Sequence, residues 1–162
     1  MKSIVEKFAI QGVVKNVQPL GSGLINDTYM VETDGPVGYV LQRINHAIFK
    51  DVVLLQNNIE AVTAHIRTKL EAAGEEDVER KVLKFIPLKE SAQTWWFDGS
   101  SYWRVSVLIA DSVTIDTVNP EYSYYAGKAF GNFQSMLSDI EETLGETIPD
   151  FHNMELRERQ LA

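Results

Sequence analysis

A glycine-rich segment near the amino terminus carries the first residues whose types could do chemistry. Gly21-Ser22-Gly23 is followed by Asn26 and Thr28, so hydroxyls, a carboxamide and flexible backbone stand close together in the chain. Glycines let backbone N–H groups approach an anion closely, and the polar side chains add donors. The segment could therefore cradle phosphates, although short glycine-rich connections are also ordinary turns. It lacks the Walker A lysine and does not open a helix, which excludes the P-loop and Rossmann motifs.

A basic and an acidic residue follow at positions that suit a phosphate-binding ion pair. Arg43 lies in a predicted strand, and Glu60 lies on a predicted helix beside the apolar residue Ile59. In kinases a strand cation binds phosphates and a helix glutamate holds it in place, although either charge alone is also typical of an exposed surface. The order of these residues along the chain suits a phosphate-binding Arg43 with Glu60 as its partner, and the alternative is that both are exposed surface charges. A register shift of one residue would turn Gln42 inward instead.

The elements that must position these residues are predicted from the spacing of apolar residues. Six short segments have the composition of strands: 13–20, 28–33, 39–44, 81–88, 94–97 and 102–109. The last two are joined by Asp98-Gly99, which is a hairpin turn signal. Between 51 and 73 the apolar residues recur at three- and four-residue steps, which predicts an amphipathic helix that ends near Gly74.

The residue composition of the chain changes after Ile109. A polar connector runs to Pro120, and apolar residues at helical spacing then predict a helix over 121–144. The remaining residues begin another helical segment. We therefore expect two units, residues 1–110 and residues 111–162, joined by a linker within the second.

Composition and charge narrow the classes of function. The 162 residues include no cysteine, which excludes disulfides, thiolate nucleophiles and cysteine-bound zinc. A net charge of −8 argues against a nucleic-acid partner, because binding a phosphate backbone needs a basic face. No apolar run approaches the roughly 18 residues of a membrane span, and the first residues do not form a secretory signal. We expect a cytoplasmic protein with no membrane contact.

Four strings of residues resemble motifs of the phosphotransferase enzyme family, which includes aminoglycoside phosphotransferases and choline kinase-like proteins. They are Leu20 to Tyr29, Tyr39 to Asn45, Asn58 to Thr63 and Tyr102 to Val105. The chain is most similar to the amino-terminal part of the N-acetylhexosamine 1-kinases. The resemblance implies an α+β fold, with a protein kinase-like N-terminal lobe of five antiparallel strands and one helix. A linker and the first helices of a helical C-lobe would follow.

The resemblance also implies roles for particular residues. Those that would contact ATP are Ser22, Gly23, Leu24, Ile25, Asn26, Thr28, Arg43, Glu60, Leu108, Ile109 and Ala110. The first six would cover the phosphates, Arg43 would replace the usual strand lysine beside Glu60, and the last three would form the adenine-binding hinge. His152 and Arg157 would border the acceptor pocket.

The expected activity is ATP-dependent phosphorylation of a small hydroxylated acceptor such as an N-acetylhexosamine, with Mg²⁺ on the triphosphate. Kinases of this kind carry a His-x-Asp catalytic loop, and no such sequence occurs here. We therefore expect no catalytic residue in this chain and no phosphate transfer by the chain alone. The alternative is a non-catalytic module that binds a nucleotide or a protein. An uncovered apolar face on the predicted helix 121–144 would also favour self-association.

Overall fold

The computed structural model describes residues 1–21, 23–113, 115 and 117–161. The elements in chain order are α1 (Lys2–Val5), β1 (Val14–Pro19), β2 (Asp27–Thr33), β3 (Tyr39–Ile44), α2 (Val52–Ala72), α3 (Val78–Lys81), β4 (Trp95–Phe97), β5 (Tyr102–Val107), α4 (Pro120–Met136) and α5 (Met154–Leu161). The predicted α+β class is confirmed. Five of the six predicted strands are present, with boundaries that differ from the predictions by two residues or fewer.

The five strands form one open antiparallel sheet in the order β1-β2-β3-β5-β4. The first three strands are sequential neighbours, and β5 then pairs with β3 while β4 lies at the edge. α2 follows β3 in the chain and precedes β4. The glycine-rich segment connects β1 to β2, so it lies at the end of the sheet where β2 begins and β3 ends.

Residues 81–88 do not form the strand that their composition predicts. They begin with the end of α3 and then make only two isolated bridges, Phe85 with Ser106 and Leu88 with Phe8. Pro87 has no amide hydrogen to donate to a ladder, and the segment divides its pairing between two different partners. The stretch is therefore an irregular edge beside β5, and the prediction of a strand there is wrong.

The hydrophobic core lies on one face of the sheet. Val31, Leu41 and Val105 occupy this face on three adjacent strands and are fully buried. Val5 and Phe8, from the amino-terminal segment, cover them and are themselves fully buried. Burying apolar side chains on this scale is the dominant favourable term in folding, so this face has a structural role.

α2 packs across the opposite face of the sheet, through Gln56 and Glu60. At its start the Asp51 carboxylate accepts a hydrogen bond from the Leu54 amide at 2.8 Å, which caps the first turn. At the other end Gly74 has a φ of 68° and closes the last turn, as its position predicted. No helix within the described ranges is long and apolar enough to cross a bilayer.

α4 ends at Met136, eight residues before the predicted end at Leu144. Its last carbonyl, that of Met136, accepts hydrogen bonds from His65 and Lys69 of α2, each at 2.9 Å. Asp139 in the following turn binds the same two side chains. The apolar spacing continues to Ile140, but the Ile140 amide donates to the Leu137 carbonyl, and the Met136 carbonyl accepts from α2 instead. The predicted extension of the helix to Leu144 is therefore wrong.

Candidate functional site

The glycine-rich loop is held in place by contacts at both ends. The Leu20 amide donates to the carbonyl of Thr28 at 2.9 Å, and the side-chain oxygen of Asn26 accepts from the Asn45 amide at 2.9 Å. A Cβ atom at Gly23 would clash with the carbonyl oxygen of Asn26, so only glycine fits this turn. Asn26 thus joins the loop to the end of β3.

Leu24 and Ile25, which are also predicted to cover phosphates, are less enclosed than Asn26. Leu24 is completely exposed and Ile25 is 45% exposed, so the loop tip projects into solvent. Ser22 lies outside the described residues. Below the loop a cavity of about 230 Å³ is lined by Ile25, Asp27, Arg43, Ile44, Asn45, His46, Ala47 and Ser101. The loop and the end of β3 therefore border one small open cavity.

Arg43 is neutralised by a neighbour on the next strand. Its Nε donates to the carboxylate of Asp27 at 2.6 Å, and the two residues are direct cross-strand partners. Successive residues of a strand point to opposite faces, so Arg43 and Gln42 face opposite ways. Gln42 bonds to Arg104, which contacts α2, so Arg43 points away from that helix. The structure thus answers the register question left open by the sequence.

Glu60 has a different partner from the predicted one. Its carboxylate accepts a hydrogen bond from the hydroxyl of Thr94, a buried residue just before β4. The predicted ion pair between Arg43 and Glu60 does not form among the described residues, because the two side chains lie on opposite faces of the sheet. Glu60 is one helical turn beyond Gln56, on the side of α2 that meets the sheet.

Three polar residues lie in a line across the sheet face beside α2. Thr28, Gln42 and Arg104 are cross-strand partners on β2, β3 and β5, and we call them the polar row. The Gln42 side chain links them: its amide nitrogen donates to the Thr28 hydroxyl at 3.3 Å, and its oxygen accepts from Arg104 Nε at 3.0 Å. The row starts at the end of the glycine-rich loop and reaches the helix.

Arg104 ends the polar row beneath α2. Its Nη1 donates to the side-chain oxygen of Gln56 at 3.4 Å, and its guanidinium lies 5.2 Å from the centre of the Phe85 ring. Burial lowers the pKa of Arg104 to about 10, so the side chain remains charged at neutral pH. Arg104 is therefore a half-buried cation on the sheet face beside α2.

An apolar pair lies beside the polar row, two residues further along the strands. Met30 and Val40 are half-buried cross-strand partners, and we call them the apolar row. Two residues of a strand span roughly 7 Å. On the sheet face beside α2, the polar row is therefore followed by an apolar pair, and the polar residues Gln18 on β1 and Ser106 on β5 flank that pair. The sequence did not single out Met30, Val40, Arg104 or Gln56 as site residues, although the period-two alternation with Thr28 and Gln42 is a signal for Met30 and Val40.

The predicted hinge residues follow directly after β5. The Leu108 amide donates to the carbonyl of Gly38 at 3.0 Å, and the Ile109 carbonyl accepts from the Ser112 hydroxyl at 3.2 Å. Ala110 is exposed. This segment lies at the apolar-row end of the sheet, opposite the glycine-rich loop.

The predicted acceptor residues make local contacts around α5. Arg157 donates to the Gln160 side chain at 2.9 Å and to the carbonyl of Asp150 at 3.3 Å. His152 packs edge-on against Phe151, with ring centres 4.5 Å apart. No hydrogen bond among the described residues joins these two side chains to the sheet face. Their role in binding an acceptor stays a prediction.

A scan against protein-family models finds no match to this chain.

Proposed function

We propose that this chain forms the ATP-binding part of a cytoplasmic kinase that phosphorylates a small hydroxylated acceptor. The observation that carries the proposal is the pair of rows on the sheet face beside α2, one apolar and one polar. A nucleotide has the same two parts, a base that packs on apolar side chains and an anionic phosphate chain. A base on the apolar row would bring the phosphates to the polar row and the glycine-rich loop.

The order of the elements supports the same arrangement. A glycine-rich loop between the first two strands covers the phosphates in protein kinases, and here the loop adjoins Thr28 of the polar row. Residues 108–110 follow β5 beside the apolar row, where the family resemblance assigns adenine. α2 lies between β3 and β4 in the chain and carries a glutamate, Glu60, on its sheet side.

The acceptor rests on the family resemblance alone, which favours the anomeric hydroxyl of an N-acetylhexosamine. Magnesium would be carried by the triphosphate. The described residues contain no cluster of three or more acidic or histidine side chains that could hold a metal. Residues of this chain would position the nucleotide and neutralise the negative charge of its phosphates.

Nuclear magnetic resonance can test this binding mode even if affinity is weak. We expect ATP, added to millimolar concentration to the ¹⁵N-labelled chain, to shift the amide resonances of both rows and of Leu108. Adenosine should shift only the apolar row and Leu108, because it carries no phosphate. Wild-type spectra in which ATP leaves both rows unchanged would reject the proposal.

A matched pair of variants separates the site from the rest of the surface. Val40→Glu places a charge in the apolar row and should abolish the adenosine shifts. Val53→Glu places the same charge at a 44% exposed position on α2 and should leave them intact. Because no His-x-Asp sequence occurs, we expect no ADP release with an N-acetylhexosamine; release that depends on the sugar would contradict this expectation.

A further inference from the structure

Arg104 is a charged side chain without a counter-ion among the described residues. Its polar contacts are the side-chain oxygens of Gln42 and Gln56, and neither of these is charged. The ion pairs of the described chain join other residues, including Arg43 with Asp27 and Arg67 with Glu79. A partly buried cation is stable when an anion compensates it, so the position suits a negatively charged ligand.

Gln56 provides a second, independent indication. It is only 1% exposed, and its side-chain nitrogen is buried without a hydrogen-bond partner among the described residues. The oxygen of the same carboxamide accepts from Arg104, so the unpartnered nitrogen lies beside the guanidinium. A buried donor without an acceptor is destabilising, and native proteins almost always satisfy such groups. An acceptor supplied by a ligand would satisfy it.

Thr28 adds a third donor at the far end of the polar row. Its hydroxyl oxygen accepts from Gln42, which leaves the hydroxyl proton able to donate to another acceptor. Thr28 lies next to the glycine-rich loop, and Arg104 lies two strands away beneath α2. A cation with Gln56 beside it and Thr28 at the other end of the polar row fit an oxyanion with several oxygens, such as a phosphate chain.

We infer that Arg104, Gln56 and Thr28 bind phosphate oxygens of the nucleotide, and that Arg43 does not. The identity of the anion as a nucleotide phosphate rests on the proposed function. Arg43 already pairs with Asp27 and points to the other face of the sheet. The phosphate-binding cation therefore belongs to β5 and not to β3, and Gln42 holds it in position through its side-chain oxygen.

The test compares Arg104→Gln with Arg43→Gln, which removes the same charge from the opposite face. Each folded variant is titrated with sodium tripolyphosphate, ATP and adenosine, and binding is followed by the amide resonances of the rows. We expect Arg104→Gln to weaken the binding of tripolyphosphate and of ATP by about tenfold or more, because a charge-assisted hydrogen bond is lost. Adenosine binding should be unchanged, and Arg43→Gln should match the wild-type protein within about twofold.

Equal binding of tripolyphosphate by Arg104→Gln and wild type would overturn the inference, as would an equal loss in Arg43→Gln. If Arg104→Gln does not fold, Thr28→Val tests the inference in its place, because valine keeps the β-branched shape. Thr28→Val should weaken the binding of tripolyphosphate and of ATP several-fold without changing adenosine binding. Wild-type protein that binds tripolyphosphate but neither ATP nor adenosine would refute the proposed function and leave the anion site standing. ATP binding that is insensitive to both Arg104 and Thr28 would refute the inference alone.

Discussion

At the scale of single residues, Asp98 shows how one exposed side chain fixes a turn. Its carboxylate accepts from the indole nitrogen of Trp103 at 2.7 Å and from the amides of Ser100 and Ser101, each at 2.8 Å. Gly99 takes a φ of 98° in the same turn, which suits glycine. This network closes the turn between β4 and β5 that the sequence Asp98-Gly99 predicts.

The network gives a prediction for the pH dependence of stability. The hydrogen bond from Trp103 is the largest cause, and together with the hydrogen bonds from the two amides it lowers the pKa of Asp98 from 3.8 to about 2. A carboxyl whose pKa is lower in the folded state stabilises the fold above its unfolded pKa, and this contribution is lost as the pH falls from about 4 to about 2. Carboxyl ¹³C titration should place the Asp98 midpoint near 2. A midpoint near 3.8 would contradict the network, and Asp98→Asn should remove this part of the pH dependence.

The polar row shows what a residue's type leaves undetermined. Arg43, Gln42 and Arg104 are all polar residues in predicted strands, and the position of Arg43 in the strand after the glycine-rich loop favoured it as the phosphate cation. Strand pairing places Arg43 opposite Asp27 and Arg104 opposite Gln42. Which of two neighbours faces the helix depends on register, and a one-residue slip reverses every side chain.

At the scale of elements, α2 is held from two sides. Gln56 and Glu60 face the sheet, while Asn58, His65 and Lys69 lie on the other side of the helix at roughly 100° per residue. The carboxamide of Asn58 exchanges two hydrogen bonds with the backbone of Gly145, at 2.7 and 3.0 Å. Met136 and Gly145 therefore bind α2 on the side that faces away from the sheet.

The end of α4 gives a prediction at this scale. Lys69→Met removes the cation that binds the Met136 carbonyl and Asp139. A cation at a helix carboxyl terminus contributes about 0.3–1 kcal/mol, so we expect the last turn of α4 to fray. Hydrogen exchange of the amides at 134–138 should quicken several-fold. Thr68→Ala, at the exposed neighbouring position, is the control, and equal exchange in both variants would show that the contact does not hold the helix.

At the scale of the whole molecule, α4 contributes no described residue to the hydrophobic core. One face of the helix carries Tyr122, Phe130 and Phe133, which are 43%, 72% and 44% exposed. The apolar stripe predicted from the sequence thus exists as a helix face, but it is not buried within the described chain. Contiguous exposed aromatic surface of this kind is typical of contact regions.

This face carries the prediction of self-association. We expect the mass measured by light scattering to rise with protein concentration, because pairing would bury the aromatic side chains. Phe130→Glu should keep the protein monomeric, since a charge on the face opposes its burial. Val53→Glu adds the same charge elsewhere and should not change the mass. A monomeric wild-type mass at all concentrations would count against the prediction.

The sequence by itself determined the elements whose signals are local. β3, the turn at Asp98-Gly99 and the helix end at Gly74 depend on side-chain period, hydrogen bonds over a few residues and glycine backbone freedom. Each of these effects acts within one or two turns of chain, so a single sequence contains it.

Only the tertiary structure decided the features that depend on distant partners. The ion pair of Arg43 with Asp27 joins residues 16 apart in the chain, and the cap on Met136 comes from residues about 70 positions earlier. The same holds for Gln56 over Arg104 and for the divided pairing of 81–88. Composition and spacing describe each strand or helix separately, whereas the strand order and register determine which side chains meet on one face.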